Sequence, residues 1–249
     1  VFVHDGCHSA FSGRDWGAPV PDAVARRRFV VFTQNHDQVG NRGRGDRPDE
    51  RLARGDLAGG EALDRPDERL SPGQVAAGAA LLLLSPFTPL LFEGQEWGTR
   101  RPFRFFCDHD AELGAQVRQG RAREFAAHGW DSLYGPGAAI PDPQERRTCE
   151  VCVLDWSELE APEHAEMLRW YRTLIALRRD HGLGRPGARQ LSVRARHGDG
   201  WFALHHGPLT VVAAPHADAS VALGALGLTG ARLLARHGAV DLVGTTLHL

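Results

Sequence analysis

The chain has 249 residues, 42% hydrophobic and 24% charged, ordinary proportions for a soluble globular protein with one large core or two smaller ones. Its net charge of -2 supplies no global field for nucleic acid or an anionic membrane, and it lacks an apolar run of about 18 residues that could span a bilayer. All of its basic side chains apart from histidine are arginine, which reads as coding bias rather than function.

Residues 1–9 lack the basic start and apolar core of a secretion signal. Residues 1–28, with Gly13, Gly17, Pro19 and Pro21, read as a long loop feeding the next strand, and loops of that length without structure of their own tend to be functional or incomplete. Phe29-Val30-Val31-Phe32 then predicts a strand buried on both faces. The chain switches at once to Gln34, Asn35, His36 and Asp37. Parallel α/β folds place chemistry in this way, at the C-terminal end of a short buried strand. An Asx-type turn capping a helix is the plainer use of Asn-His-Asp. The preceding strand, and Gln38 with Gly40-Asn41-Arg42 behind, favour a functional site.

Phe32 to Arg42, read residue by residue as Phe-Thr-Gln-Asn-His-Asp-Gln-Val-Gly-Asn-Arg, resembles the seventh-strand motif of the α-amylase superfamily of glycoside hydrolases. The Gln and Gly-Asn-Arg resemble one branch, the malto-oligosyltrehalose trehalohydrolases; branching enzymes usually carry Ser-His-Asp-Glu there. The resemblance implies that Asp37 stabilises the transition state and that His36 donates to a sugar hydroxyl in the same subsite. Asn35, Gln38, Arg42 and Glu96 are the implied further substrate contacts. A carboxylate suits the role of Asp37, because its charge-assisted hydrogen bonds strengthen as positive charge builds on the ring. The implied substrate is malto-oligosyltrehalose or a related malto-oligosaccharide, with no cofactor and no nucleic-acid or membrane partner. The resemblance also implies, loosely, that the glycine-rich loop before the strand lines the cleft.

Asp46-Arg47-Pro48-Asp49-Glu50-Arg51-Leu52 recurs as Asp64-Arg65-Pro66-Asp67-Glu68-Arg69-Leu70. One duplicated heptad is too little for a solenoid and reads as a local duplication lengthening an exposed loop over residues 46–70. Ser71-Pro72-Gly73-Gln74 is a capping box with proline at the first helical position, opening an apolar helix through 75–84 that Pro86 stops. Residues 89–93 predict a second buried strand, so strand, helix and strand make a parallel βαβ unit. Residues 88–98 resemble the superfamily's eighth-strand segment, in which Glu96 is kept while Glu93 and Gln95 replace the usual Met and first Glu. An acid at Glu93 needs a partner or solvent.

Three phenylalanines in 103–106 suit either core packing or a sugar-stacking cleft. Helices are expected over about 111–127 and 163–179, the second with Met167, Tyr171, Leu174, Ile175 and Arg178 on one face. Residues 141–144 and 154–158 between them resemble the family's loop. The 4 cysteines, Cys7, Cys107, Cys149 and Cys152, are too sparse for a disulfide framework, and Cys149-x-x-Cys152 lacks a second ligand pair. Reduced cysteines and a cytoplasmic location are expected.

From Gly182 the pattern changes to short strands at 190–196, 201–206, 209–214, 220–223, 232–236 and 240–243, with a hairpin turn at 197–200. The last strand, near 245–249, reads as cut short. A (β/α)8 barrel needs roughly 250 residues and eight strands, and only two βα units are found before residue 182. The superfamily's nucleophile segment and general-acid strand are not found either. The expected architecture is therefore α/β: the last two βα units of a TIM barrel over 1–182, then a small antiparallel β-sandwich over 183–249. The chain reads as the C-terminal portion of an enzyme whose N-terminal part is missing. Two other classes stay open. A metal-dependent phosphohydrolase would use the pairs His4-Asp5, His36-Asp37 and His109-Asp110, and a non-catalytic carbohydrate-binding fragment would use the cleft alone. Another superfamily enzyme, of branching or α-glucosidase type, is the nearest alternative.

Overall fold

The computed structural model describes residues 5–9, 13–18, 21, 23–48, 70–127, 134, 139–184, 191–214, 219–228 and 230–249. β1 (Asp5–Ser9) and β2 (Arg14–Gly17) form an antiparallel hairpin where a loop was expected. Every described side chain of β2 is exposed, so no apolar alternation marks the strand in the sequence. There follow β3 (Val30–Val31), the helical turn α1 (His36–Gly40), α2 (Pro72–Leu84) and β4 (Thr88–Pro89). Next come α3 (Ala111–Ala127), α4 (Arg146–Glu150) and α5 (Pro162–Asp180). The remainder is β5 (Val193–Gly198), β6 (Trp201–His206), β7 (Leu209–Ala213), β8 (Ser220–Ala222), the helical turn α6 (Leu223–Leu226), β9 (Asp241–Val243) and β10 (Thr246–His248). The chain is α/β, with antiparallel sheets in its C-terminal part.

Packing divides it into two units. The first comprises Val1–Thr33, Gly78–Leu90 and Thr173–Leu249; the second comprises Gln34–Ala77 and Leu91–Arg172. In the first unit β3 and β4 pair in parallel, Val30 opposite Thr88 and Val31 opposite Pro89. Thr88 N donates to Phe29 O at 2.9 Å and Leu90 N to Val31 O at 2.8 Å. Pro89, which has no N–H, falls between these donors and costs the ladder nothing on that side. Burial on both faces does not hold: Val31 is 6% exposed but Val30 is 56% exposed. The second strand is also shorter than the expected 89–93, because its partner β3 is only two residues long; the chain then turns at Gly94, whose φ is +79°. Glu93 is exposed, which meets its need for solvent.

The capping box of α2 is formed: Ser71 N donates to Gln74 Oε1 at 2.8 Å and Gln74 N to Ser71 Oγ at 3.2 Å. In its last turn and just beyond it, the orphan carbonyls find side chains of the same unit. Arg178 Nη1 donates to Leu83 O (2.6 Å) and Ser85 O (2.9 Å), and Nη2 to Phe87 O (2.7 Å). His206 Nδ1 lies 2.9 Å from Leu84 O; a carbonyl only accepts, so the proton sits on Nδ1. On α5, Met167, Tyr171 and Leu174 are buried, while Ile175, at the edge of the stripe, is 42% exposed rather than part of the buried face.

β5, β6 and β7 form an antiparallel meander turning at Asp199-Gly200, where Gly200 has φ +74°. The second sheet runs β8-β10-β9, also antiparallel. Ala203, Val221 and Leu226 form a buried cluster flanked by Trp201, Val212, Leu228 and Leu249, so β6 and β8 share one core. The strand expected at 232–236 is absent. Its adjacent leucines, Leu233 and Leu234, are both exposed, so neither face of a strand there would be buried.

Candidate active site

Every predicted site residue lies in the second unit. Asn35, with φ -152° and ψ 176°, is the N-cap of α1: its Oδ1 accepts from Gln38 N at 2.8 Å. The plainer reading of the tripeptide is thus what the Asn35 side chain does. The same cap sets His36, Asp37 and Gln38 on the first helical turn, all three exposed. His36 Nε2 lies 3.2 Å from Asp37 Oδ1, and both side chains are about 70% exposed. A carboxylate and an imidazole so placed offer an acceptor and a donor to one polyhydroxylated ligand.

Arg42 is oriented inward. Its Nε and Nη2 donate to Asp46 Oδ2 at 2.8 and 2.6 Å, and Tyr134 OH donates to Asp46 Oδ1. Burial opposes the charge on Arg42, but Asp46, with Tyr134 behind it, outweighs that, and the guanidinium holds its proton more tightly than usual. Burial and the neighbouring Asp46 push the Tyr134 phenol well up. Two glycines make this turn possible. A Cβ at Gly43 would lie 2.1 Å from a Phe125 ring atom, and at Gly45 (φ +67°) 2.3 Å from Phe103 O. At the other end of the loop, Gln34 is buried and accepts from Arg47 Nη1 at 3.3 Å, while Arg47 Nε donates to Arg101 O at 2.8 Å. The exposed insertion expected from residue 46 is therefore corrected at its start. Asp46 and Arg47 are buried, 6% and 2% exposed, because the loop needs both to satisfy Arg42 and Gln34. Residues 49–69, with the second copy except Leu70, lie outside the described residues.

Glu96 sits half-buried in the turn 93–98 and makes no described hydrogen bond or ion pair with the 35–42 loop. The turn is held from within by Gln95, 1% exposed, whose Oε1 accepts from Phe92 N (2.8 Å) and whose Nε2 donates to Tyr171 OH (2.9 Å). It is held from outside by Glu158, whose Oε2 accepts from Trp97 Nε1 (3.0 Å) and Thr99 Oγ1 (2.6 Å) and whose Oε1 accepts from Arg100 N (3.0 Å). Burial pushes the Glu158 carboxyl up, but the bonds from Thr99, Trp97 and Arg100, with His164 nearby, bring it below the ordinary glutamate value. Sequence reasoning found neither Glu158 nor Asp46: a single acid in a polar loop carries no local signal, and Asp46 was hidden by the repeat. Phe103 packs edge-on against Phe92 (5.1 Å), whereas Phe105 and Phe106 are exposed, so the cluster serves core and surface at once. Cys107, Cys149 and Cys152 are free thiols, and among the described residues no three His, Cys, Asp or Glu side chains converge as a metal set.

The chain is 44% identical over 214 residues to the malto-oligosyltrehalose trehalohydrolase of Arthrobacter ramosus, covering 86% of this chain and 33% of that protein. It is 39% identical over 251 residues to the one from Rhizobium sp. (strain M-11), covering 100% and 38%. The chain belongs to the malto-oligosyltrehalose trehalohydrolase family. It spans about a third of the length of these curated relatives and matches their C-terminal regions. A crystal structure of a candidate α-amylase from Salmonella typhimurium is also similar, with TM-score 0.66 and 29% identity over 98% of this chain and 37% of that one. No family model matches. Among the described residues no helix is long and apolar enough to cross a membrane.

Proposed function

We propose that this chain is the C-terminal portion of a cytoplasmic glycoside hydrolase that releases trehalose from malto-oligosyltrehalose, with retention and without a cofactor. The observation that carries the reading is the capped turn presenting Asp37 and His36 together to solvent, 3.2 Å apart. Asp37 holds sugar hydroxyls and stabilises the oxocarbenium-like transition state; His36, Asn35, Gln38, Arg42 and Glu96 bind substrate. The nucleophile and general acid come from the upstream part of the enzyme. Residues 1–182 supply the last two βα units of its barrel and 183–249 a C-terminal β-sandwich. The exposed Val30, Leu90 and Leu91 suit a sheet with further neighbours.

In the full-length protein, Asp37→Asn should keep the fold and lower kcat by several orders of magnitude, about 10³-fold or more, with much smaller changes in product binding. The assay is trehalose release from malto-oligosyltrehalose. A variant within about tenfold of wild type would remove Asp37 from the site. The likeness to the candidate α-amylase favours a second reading, a superfamily enzyme acting on plain glucans; glucose or maltose as product, without trehalose, would select it.

A further inference from the structure

We propose that Asp46 and Arg47, the first two residues of the duplicated heptad, are positioning residues for the sugar-binding loop 35–42, acting through Arg42 and Gln34. The inference rests on the trehalose-releasing reading above. Arg42 and Asp46 differ in exposure, 31% against 8% of the side chain, so the pair sets a partly buried guanidinium against a more deeply buried carboxylate. Both Asp46 oxygens are engaged, Oδ2 by Arg42 and Oδ1 by Tyr134, so the carboxylate cannot turn without breaking a bond. Arg47 ties the other end of the loop. It bridges Gln34, the residue before Asn35, to Arg101 O, and its guanidinium lies 5.2 Å from the Phe92 ring centre. Between the two struts Gly45 is pressed against Phe103, whose N–H also donates to Gly45 O at 2.8 Å.

A buried ion pair is seldom the most stabilising way to fill such a space, since apolar residues of similar volume serve as well or better. What it supplies is direction. Arg42 is aimed, and the loop between Gln34 and Asp46 is fixed at both ends, which is how outer groups hold a binding set to within fractions of an ångström. The duplication provides an internal control, because Asp64 has the same local sequence as Asp46 but does not follow Gly45.

The test uses the full-length protein and trehalose release, at a temperature where circular dichroism shows each variant folded. Asp46→Asn should lower kcat/KM by about ten- to a hundredfold, while Asp64→Asn should stay within about twofold. Tyr134→Phe removes a single hydroxyl and serves if Asp46→Asn fails to fold; a loss of about three- to tenfold is expected. Combined with Arg42→Ala, neither should cost more than about twofold further, since both act through Arg42. Folded variants within about twofold of wild type, or losses that multiply fully with that of Arg42→Ala, would overturn the assignment and leave the functional reading intact. A folded wild type that releases no trehalose would instead overturn the reading beneath it.

Discussion

Replacing Glu158 by alanine should cost far more stability than replacing it by glutamine, and the three donors show why. Trp97 and Thr99 are each 2% exposed, so their Nε1–H and Oγ1–H would lose their acceptor in a place water reaches poorly. Leaving a buried donor unpaired costs about 1–3 kcal/mol, so Glu158→Ala should cost about 2–6 kcal/mol for the two. Arg100 is exposed and its N–H can turn to water, so it adds little. Glutamine keeps one carbonyl. Because both buried donors address the same oxygen, Oε2, that carbonyl satisfies them, and only the exposed Arg100 N–H faces the new amide. The cost of Glu158→Gln should stay near 1 kcal/mol. The pH dependence follows from the depressed carboxyl. The charge contributes stability above the unfolded glutamate value, and that contribution is lost as pH falls through the lower folded value. Urea titrations followed by tryptophan fluorescence, which Trp97 and Trp156 report, would measure all three proteins at neutral and acid pH. Equal costs for the alanine and glutamine variants, or a gap between wild type and glutamine that is unchanged at acid pH, would refute the bond assignment.

Arg178→Ala should destabilise by about 2–4 kcal/mol in thermal unfolding, because the carbonyl of Leu83 in the last turn of α2 and those of Ser85 and Phe87 beyond it lose their donor, whereas Ile175→Ala at the exposed edge of α5 should cost under about 1 kcal/mol. Burial holds His206 below its ordinary value of 6.5, so the unfolded chain binds the proton more readily and stability falls as pH drops below that value; denaturant titrations should show a flatter slope in His206→Gln. Excising residues 53–70 joins Leu52 to Ser71 and leaves the sequence after Gly45 unchanged through Leu52. Since Leu70 N already donates to Pro48 O at 3.2 Å, the ends of the loop meet, and calorimetry should find a shift under about 1 kcal/mol.

The elements legible in the sequence are those whose signal is local. Ser71 to Gln74 carries both halves of a reciprocal cap, and the helix starts there; Asp199-Gly200 between alternating runs gives the β5–β6 hairpin. The helix over 111–127 was placed correctly despite a weak apolar stripe. Illegible were elements whose reason lies elsewhere in the chain. The β1–β2 hairpin has no apolar face of its own, and the 232–236 stretch looks extended but has nothing to pack upon. In the candidate site, the exposed His36, Asp37 and Gln38 fall in one contiguous motif that the sequence displays. The residues that brace the neighbouring turns carry no such local signal: Asp46 depends on Tyr134, 88 residues away in sequence, and Glu158 on Trp97, 61 away.

The reading of Phe29-Val30-Val31-Phe32 as buried on both faces failed at Val30 in a way that bears on the proposed enzyme. Hydrophobic pattern records the surroundings a segment is selected for, and a parallel strand is apolar on both faces only where something covers both. Phe29 to Phe32 is apolar throughout, yet Val30 is exposed, as are Leu90 and Leu91 just after β4. In α2 the pattern and the burial agree more closely: Ala76, Ala79, Ala80, Leu82, Leu83 and Leu84 are buried. An apolar parallel strand exposed on one face is what a sheet seen without a further neighbour would give, which accords with the proposal that this chain supplies the last strands of a barrel.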